Sequence, residues 1–237
     1  MTISNDTRSR VKKIGEPIAL FFGRLGLTPD GLTLIGFAIT TGGAIFLGLQ
    51  LWLIGGLVVF VGGVFDMFDG TLARATGQVT KLGAFMDSVF DRWGEALVYV
   101  GIVIGASRAQ FELGAWLAAA ALASAFMVSY TRAKSEGLGF SSGTGMAAVG
   151  IMPREIRLVI LTVGLVGAGL LGGAMPVEMF GENTGLGASV DATGSFVLAG
   201  ALAIIALGAT ITVIQRVLHA RAQARAATTT EAGERAS

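Results

Sequence analysis

The sequence predicts an all-α integral membrane protein, with six transmembrane helices preceded by an N-terminal amphipathic surface helix. Three observations carry this. Of 237 residues, 53% are hydrophobic and only 14% are charged, whereas a soluble domain needs roughly 25% charged residues to cover its surface. The mean hydropathy is +0.71. The 36 glycines suit helices that pack backbone against backbone in lipid, where small residues replace the hydrophobic effect as the means of close approach.

Taken in order, residues 1–8 read as a disordered N-terminus. Residues 9–26 interleave Arg10, Lys12, Lys13 and Arg24 with Ile14, Ile18, Leu20, Phe21 and Phe22, the pattern of a helix lying in the membrane surface. No small-residue cleavage site follows, so this is not read as a signal peptide. Thr28-Pro29-Asp30 is a helix start with proline in the first turn. Apolar runs long enough to span a bilayer lie at 31–49, 51–74, 83–107, 113–134, 155–175 and 195–218. The membrane domain is thus expected over 9–225, with 226–237 a disordered cytoplasmic tail.

Basic residues fix the expected orientation. Arg8, Arg10, Lys12, Lys13 and Arg24 precede the first span, Arg74 and Lys81 flank the second turn, and Arg132, Lys134, Arg154 and Arg157 flank the fourth. Arg216, Arg221, Arg225 and Arg235 close the chain, while the opposite loops hold only Arg108. Lysine and arginine concentrate on the cytoplasmic side, so a multi-pass protein of the cell membrane with both termini cytoplasmic is expected. The Gly-rich, acidic stretch 176–194 reads as an external loop.

Four aspartates stand inside apolar spans. Asp66 and Asp69 are three apart and Asp87 and Asp91 four apart, so each pair projects from one face of its helix. The turn between them is short and contains Gly77, which makes an antiparallel hairpin with facing carboxylates. With a rise of about 1.5 Å per residue, Asp66 and Asp69 lie about 22 and 27 Å from Leu51, at the inner side of a hydrocarbon core about 30 Å thick. An aspartate there costs about 2.5–3.5 kcal/mol on insertion scales. Three readings accommodate four of them: structural pairing with Arg74, Lys81 and Arg92, a path for an ion or proton transporter, or a metal site. The outer halves of the spans carry almost no ionisable residue to continue a path. With no cysteine and the single histidine His219, any metal must be held by oxygen. That favours Mg²⁺ or Mn²⁺, two of which would neutralise the cluster.

The pattern D-x-x-D-G-x-x-A-R-x8-G-x3-D-x3-D, formed by Asp66, Asp69, Gly70, Ala73, Arg74, Gly83, Asp87 and Asp91, resembles the signature of the CDP-alcohol phosphotransferases. The resemblance implies transfer of a phosphatidyl group from a CDP-linked lipid to an alcohol, with release of CMP. It implies metal ligation by Asp66, Asp69, Asp87 and Asp91, with Asp91 also the base for the acceptor hydroxyl. Asp66, Asp69, Gly70, Ala73 and Arg74 would bind the CDP-lipid, and a homodimer is implied. No nucleic-acid partner is expected.

Arg132, Lys134, Arg154, Arg157 and Arg216 gather at the same end of the spans and suit a phosphorylated polyol acceptor. Asp87-Ser88-Val89-Phe90-Asp91-Arg92 and Ser129-Tyr130-Thr131-Arg132-Ala133-Lys134-Ser135-Glu136 resemble stretches of the phosphatidylinositol phosphate synthases. Inositol phosphate is therefore the expected acceptor, with CDP-diacylglycerol or an archaeal-type CDP-lipid as donor. Glycerol phosphate, as in phosphatidylglycerophosphate synthases, is the alternative.

Overall fold

A computed structural model describes residues 17–140, 145–172 and 192–236. The described chain is helical throughout and contains no strand. A short helix α1 (17–24) precedes α2 (Pro29–Gly48), α3 (Trp52–Thr76), α4 (Lys81–Arg108) and α5 (Glu112–Gly137). A 3-10 turn at Met146–Ala148 leads to α6 (Arg154–Leu170) and then α7 (Ala192–Ala236). The expected basic arm ahead of residue 17 and most of the expected external loop lie outside the described residues. A disordered tail is expected from residue 226 on sequence grounds, but the backbone is helical to Ala236.

Local chemistry sets the helix ends. Thr28 caps α2 by accepting a hydrogen bond from the Gly31 amide at 3.1 Å, and Pro29 opens the first turn, where a missing amide proton costs nothing. Thr80 caps α4 in the same way through Gly83, at 2.9 Å. Between these two helices, α3 stops at Gly77, whose φ of 69° is a left-handed conformation that glycine adopts freely.

Four helical stretches are long and apolar enough to cross a membrane: α2, α3, α5 and 193–225 of α7. The other two long helices differ for a chemical reason. α4 carries Asp87, Asp91, Arg92 and Glu95 in its first half, and α6 is 17 residues long and opens on Arg154, Glu155 and Arg157.

The packing order is not the chain order. α2 packs on both α3 and α4, α3 on α6, α6 on α7, α7 on α5 and α5 back on α4. The result is a closed ring of six helices around an apolar interior that includes Leu47, Tyr99, Ile102, Leu165, Leu202 and Ile205. Although α3 and α4 are joined by a short turn, α2 is wedged between them, so the hairpin expected from sequence is spread open by a third helix. Small residues make the wedge possible. A Cβ at Gly62 would collide with Thr40 of α2, and one at Gly101 would collide with the Ala44 carbonyl. Backbone therefore lies against backbone on both sides of α2.

On α1, Ala19 is fully buried with Leu32 and Leu72, and Phe22 packs on Phe65 and Phe68 with ring centroids 5.5 and 6.0 Å apart. Ile18, Leu20 and Phe21 stay exposed. The helix is thus anchored by one face to the end of α3 that carries the aspartates.

Gly101→Ala is expected to lower stability by about 1–3 kcal/mol, because the added methyl meets fixed backbone rather than a movable side chain. Gly42→Ala, where a Cβ meets nothing within 4 Å, is expected to leave stability unreduced. Thermal unfolding of the purified proteins in detergent compares the two.

Candidate functional site

The four aspartates meet at the end of the ring where α3 finishes and α4 and α6 begin. Carboxylate oxygens of Asp66, Asp69 and Asp87 all lie within 4.8 Å of one another. Asp69 is the most deeply placed, only 4% exposed. One of its oxygens, Oδ2, accepts a hydrogen bond from Thr33 Oγ1 at 2.5 Å, and the other accepts one from the Gly70 amide. Its rotamer is therefore fixed from two helices, α2 and α3.

Asp91 is the fourth member and has a different partner. Arg154 Nη1 lies 2.6 Å from Asp91 Oδ2 and 2.7 Å from Asp66 Oδ2, so one guanidinium nitrogen bridges α3 and α4 from α6. The other oxygen, Asp91 Oδ1, is buried and has no hydrogen-bond partner among the described residues. A buried carboxylate oxygen without a donor is costly. The three converging carboxylates of Asp66, Asp69 and Asp87 form a donor set that fits a hard divalent cation, and Asp91 stands beside that group.

The signature's small and basic residues lie alongside. The Arg74 guanidinium folds back over Gly70, with Nη1 3.3 Å from where a Cβ would stand. Side chains flanking the aspartates form two aromatic clusters. Phe65 and Phe68 pack with Phe22, while Phe90 and Trp93 pack with Phe37 at 5.0 and 5.7 Å.

The five cations read from the sequence separate into distinct environments. Arg154 is on the aspartates. Arg157, only 1% exposed, forms a two-pronged pair with Glu95, Nε to Oε1 at 2.8 Å and Nη2 to Oε2 at 2.9 Å, and also donates to the Met152 carbonyl. Arg216 is buried too and donates to the carbonyls of Val149 and Val128. Arg132 pairs with Glu136 at 2.9 Å on the surface of α5, and Lys134 is exposed beside the buried Ser135. The aspartates are thus gathered into one site, while two of the arginines spend their donors inside the protein.

Two further residues belong to this site and were not picked out from the sequence. Thr33 leaves little local trace, since a lone hydroxyl in an apolar run has no periodic signature. Glu95 leaves a readable one: it stands four residues after Asp91 and so continues the same helix face.

Comparison with known proteins matches this arrangement. The CDP-alcohol phosphatidyltransferase family profile covers residues 26–220. The phosphatidylinositol phosphate synthase of Streptomyces avermitilis is 33% identical over 235 residues, 97% of this chain and 87% of that one. The archaetidylinositol phosphate synthase of Pyrococcus horikoshii is 38% identical over 157 residues, 66% of this chain and 78% of that one. Among solved structures, the Mycobacterium tuberculosis phosphatidylinositol phosphate synthase with CDP-DAG bound superposes with a TM-score of 0.69 at 25% identity, over 88% of this chain and 94% of that one. Because the matched region runs from ahead of the capped start of α2 to beyond Arg216 and takes in every aspartate of the cluster, the chain belongs to the CDP-alcohol phosphatidyltransferase family.

Proposed function

We propose that this chain transfers a phosphatidyl group from a CDP-linked lipid to inositol phosphate, releasing CMP and forming phosphatidylinositol phosphate. The observation that carries the reading is the convergence of Asp66, Asp69 and Asp87 within 4.8 Å beside the Asp91–Arg154 pair. Relatives named for inositol phosphate products, at 33% and 38% identity, support the acceptor. The related structure with CDP-DAG bound supports the donor.

In this reading Asp66, Asp69, Asp87 and Asp91 hold Mg²⁺ or Mn²⁺, two ions to a site. When bound, the ions neutralise the diphosphate and stabilise the departing CMP oxygen. The remaining work falls to the protein. Gly70 and Ala73 leave room for the nucleotide beside α3, and Arg74 swings from Gly70 to donate to the diphosphate. Asp91 Oδ1, free of other partners, accepts the proton from the acceptor hydroxyl as its oxygen bonds to the lipid-bearing phosphorus and the bond to CMP breaks. Arg154, with Arg132 and Lys134 at the rim, meets the acceptor's phosphate. Arg216 adds positive potential from behind, while the charge of Arg157 is met by Glu95.

The same reading places six spans, α2 to α7, in the cell membrane. The α1 segment lies on the cytoplasmic surface and both termini are cytoplasmic. The domain extends over 9–225, and two copies form a homodimer. α4 and α6 tolerate Asp91, Glu95, Arg154 and Arg157 because these pair with one another inside the ring, whereas Glu155 is exposed at the end of α6.

Asp66→Asn, Asp69→Asn and Asp87→Asn are each expected to reduce CMP release by at least about 1,000-fold while the protein stays folded, since each removes a ligand charge. The check is CMP formation by purified protein with CDP-diacylglycerol, Mg²⁺ or Mn²⁺, and in separate reactions inositol phosphate, glycerol phosphate, inositol and serine. Turnover with glycerol phosphate alone would overturn the acceptor. Ion flux in liposomes without any CDP-lipid would overturn the enzyme.

Thr33→Val keeps side-chain volume but removes the hydroxyl that orients Asp69. Mn²⁺ affinity, read by titration of the spin signal of the free ion, is expected to fall about 10-fold, the lower end of what an outer-sphere hydrogen bond contributes.

A further inference from the structure

Glu95 and Arg157 are the largest charged investment in the ring interior that the proposed reaction does not use. Arg157 is the largest fully buried side chain among the described residues. Its partner Glu95, 12% exposed at the side chain, accepts from it through both oxygens and takes a second cation, Arg92, at 3.3 Å. A pair this enclosed is seldom retained for stability alone, because desolvating two charges offsets most of their attraction. Its position indicates what else it does.

Asp91 and Glu95 are one turn apart on α4, and Arg154 and Arg157 are one turn apart on α6. The pairs Asp91–Arg154 and Glu95–Arg157 therefore form two successive rungs between parallel helices. α4 and α6 are not neighbours in the ring, so long side chains rather than packed backbones set their separation. Arg157 also holds the Met152 carbonyl, at 3.1 Å, just ahead of the first turn of α6. From the other side, α7 grips the same approach segment. Thr212 Oγ1 accepts from the Met152 amide at 3.0 Å, and Arg216 donates to the Val149 carbonyl at 3.0 Å. These hydrogen bonds thus converge on the residues that deliver Arg154.

We propose that Glu95 and Arg157 are positioning residues: their buried two-pronged pair fixes the start of α6 so that Arg154 stands at the aspartates, and through Arg154 it sets the affinity for a phosphorylated acceptor. This rests on the proposed role of Arg154 toward the acceptor phosphate. Neither Glu95 nor Arg157 touches substrate. The bidentate geometry matters because two parallel hydrogen bonds define an orientation, which a single contact does not.

The test is a double-mutant cycle on Glu95→Gln and Arg154→Gln in the full chain, purified in detergent, with inositol phosphate and CDP-diacylglycerol varied in turn. Glu95→Gln is expected to raise the acceptor KM about 10-fold, within what a small misplacement of a positioning group costs, with the CDP-lipid KM and kcat little changed. The double variant is expected to match Arg154→Gln alone, since the two act through one group. Arg157→Lys, which keeps the charge but not the fork, is expected to shift the same KM. If Glu95→Gln does not fold, Glu95→Asp is read in its place, retaining charge with one methylene less reach. An acceptor KM unchanged in folded protein, a loss confined to kcat, or effects that multiply in the double variant would each overturn the proposal. Wild-type turnover reports separately on the acceptor. If glycerol phosphate proves to be the substrate, the cycle is run with it, and the coupling still decides the positioning role.

Discussion

Negative charge enclosed by an apolar bundle has to be balanced within a few ångströms, and one end of this protein is organised around that requirement. Asp66 and Asp69 on α3 and Asp87 and Asp91 on α4 are brought together by α2, which is wedged between the two helices and fixes Asp69 through Thr33. Balance arrives from outside this trio, on α6, where Arg154 bridges Asp66 and Asp91. Fold and chemistry are therefore hard to separate here. The glycine contacts that let α2 approach both neighbours also determine how near the carboxylates stand, and hence whether a cation finds three ligands or two.

The arginines divide into two kinds by what they touch. Arg154 and Arg74 lie against atoms that a substrate or metal would also seek, the Asp66 and Asp91 oxygens and the space over Gly70. Arg157 and Arg216 are bonded to Glu95 and to backbone carbonyls, and their charge is felt only at a distance. Both kinds have the same residue type and lie on the same side of the bundle, yet only the first has donors left to exchange. That difference separates recognition from support, and it follows from burial rather than from sequence position.

Much of this was legible in the sequence. Hydropathy gave long apolar helices, the Thr28-Pro29-Asp30 start and Gly77 fixed two boundaries, and the spacing of Asp66, Asp69, Asp87 and Asp91 located the site before any coordinates. These signals are local, written within one or two turns. What stayed hidden is non-local. Nothing near Thr33 announces Asp69, 36 residues on, and nothing near Arg157 announces Glu95, 62 residues back. The open hairpin escaped for the same reason, since a short turn argues for direct pairing and only the glycines of two other segments reveal that α2 comes between. For five basic residues at one end, the positive-inside bias and a phosphate pocket write the same pattern, so the sequence had no means to tell Arg154 from Arg216. The helical course of 226–236 was missed because composition was read there without periodicity.

The order in which the site's charges appear along the chain has a consequence for how the protein is made. Arg154 follows Asp66 by 88 residues, so at a synthesis rate of about 5–20 residues per second Asp66 exists for roughly 4–18 s before Arg154 has been translated. Throughout that interval only Arg74 and Arg92 stand near the carboxylates of α3 and α4, the bridge from Asp66 to Asp91 is missing, and lipid would be a hostile neighbour. The nascent bundle must keep this end in contact with water, its acids hydrated or protonated, until α6 docks. Ring closure and charge neutralisation then become a single late event in biogenesis, and a chain stalled short of residue 154 would be left with an acidic end that the membrane rejects.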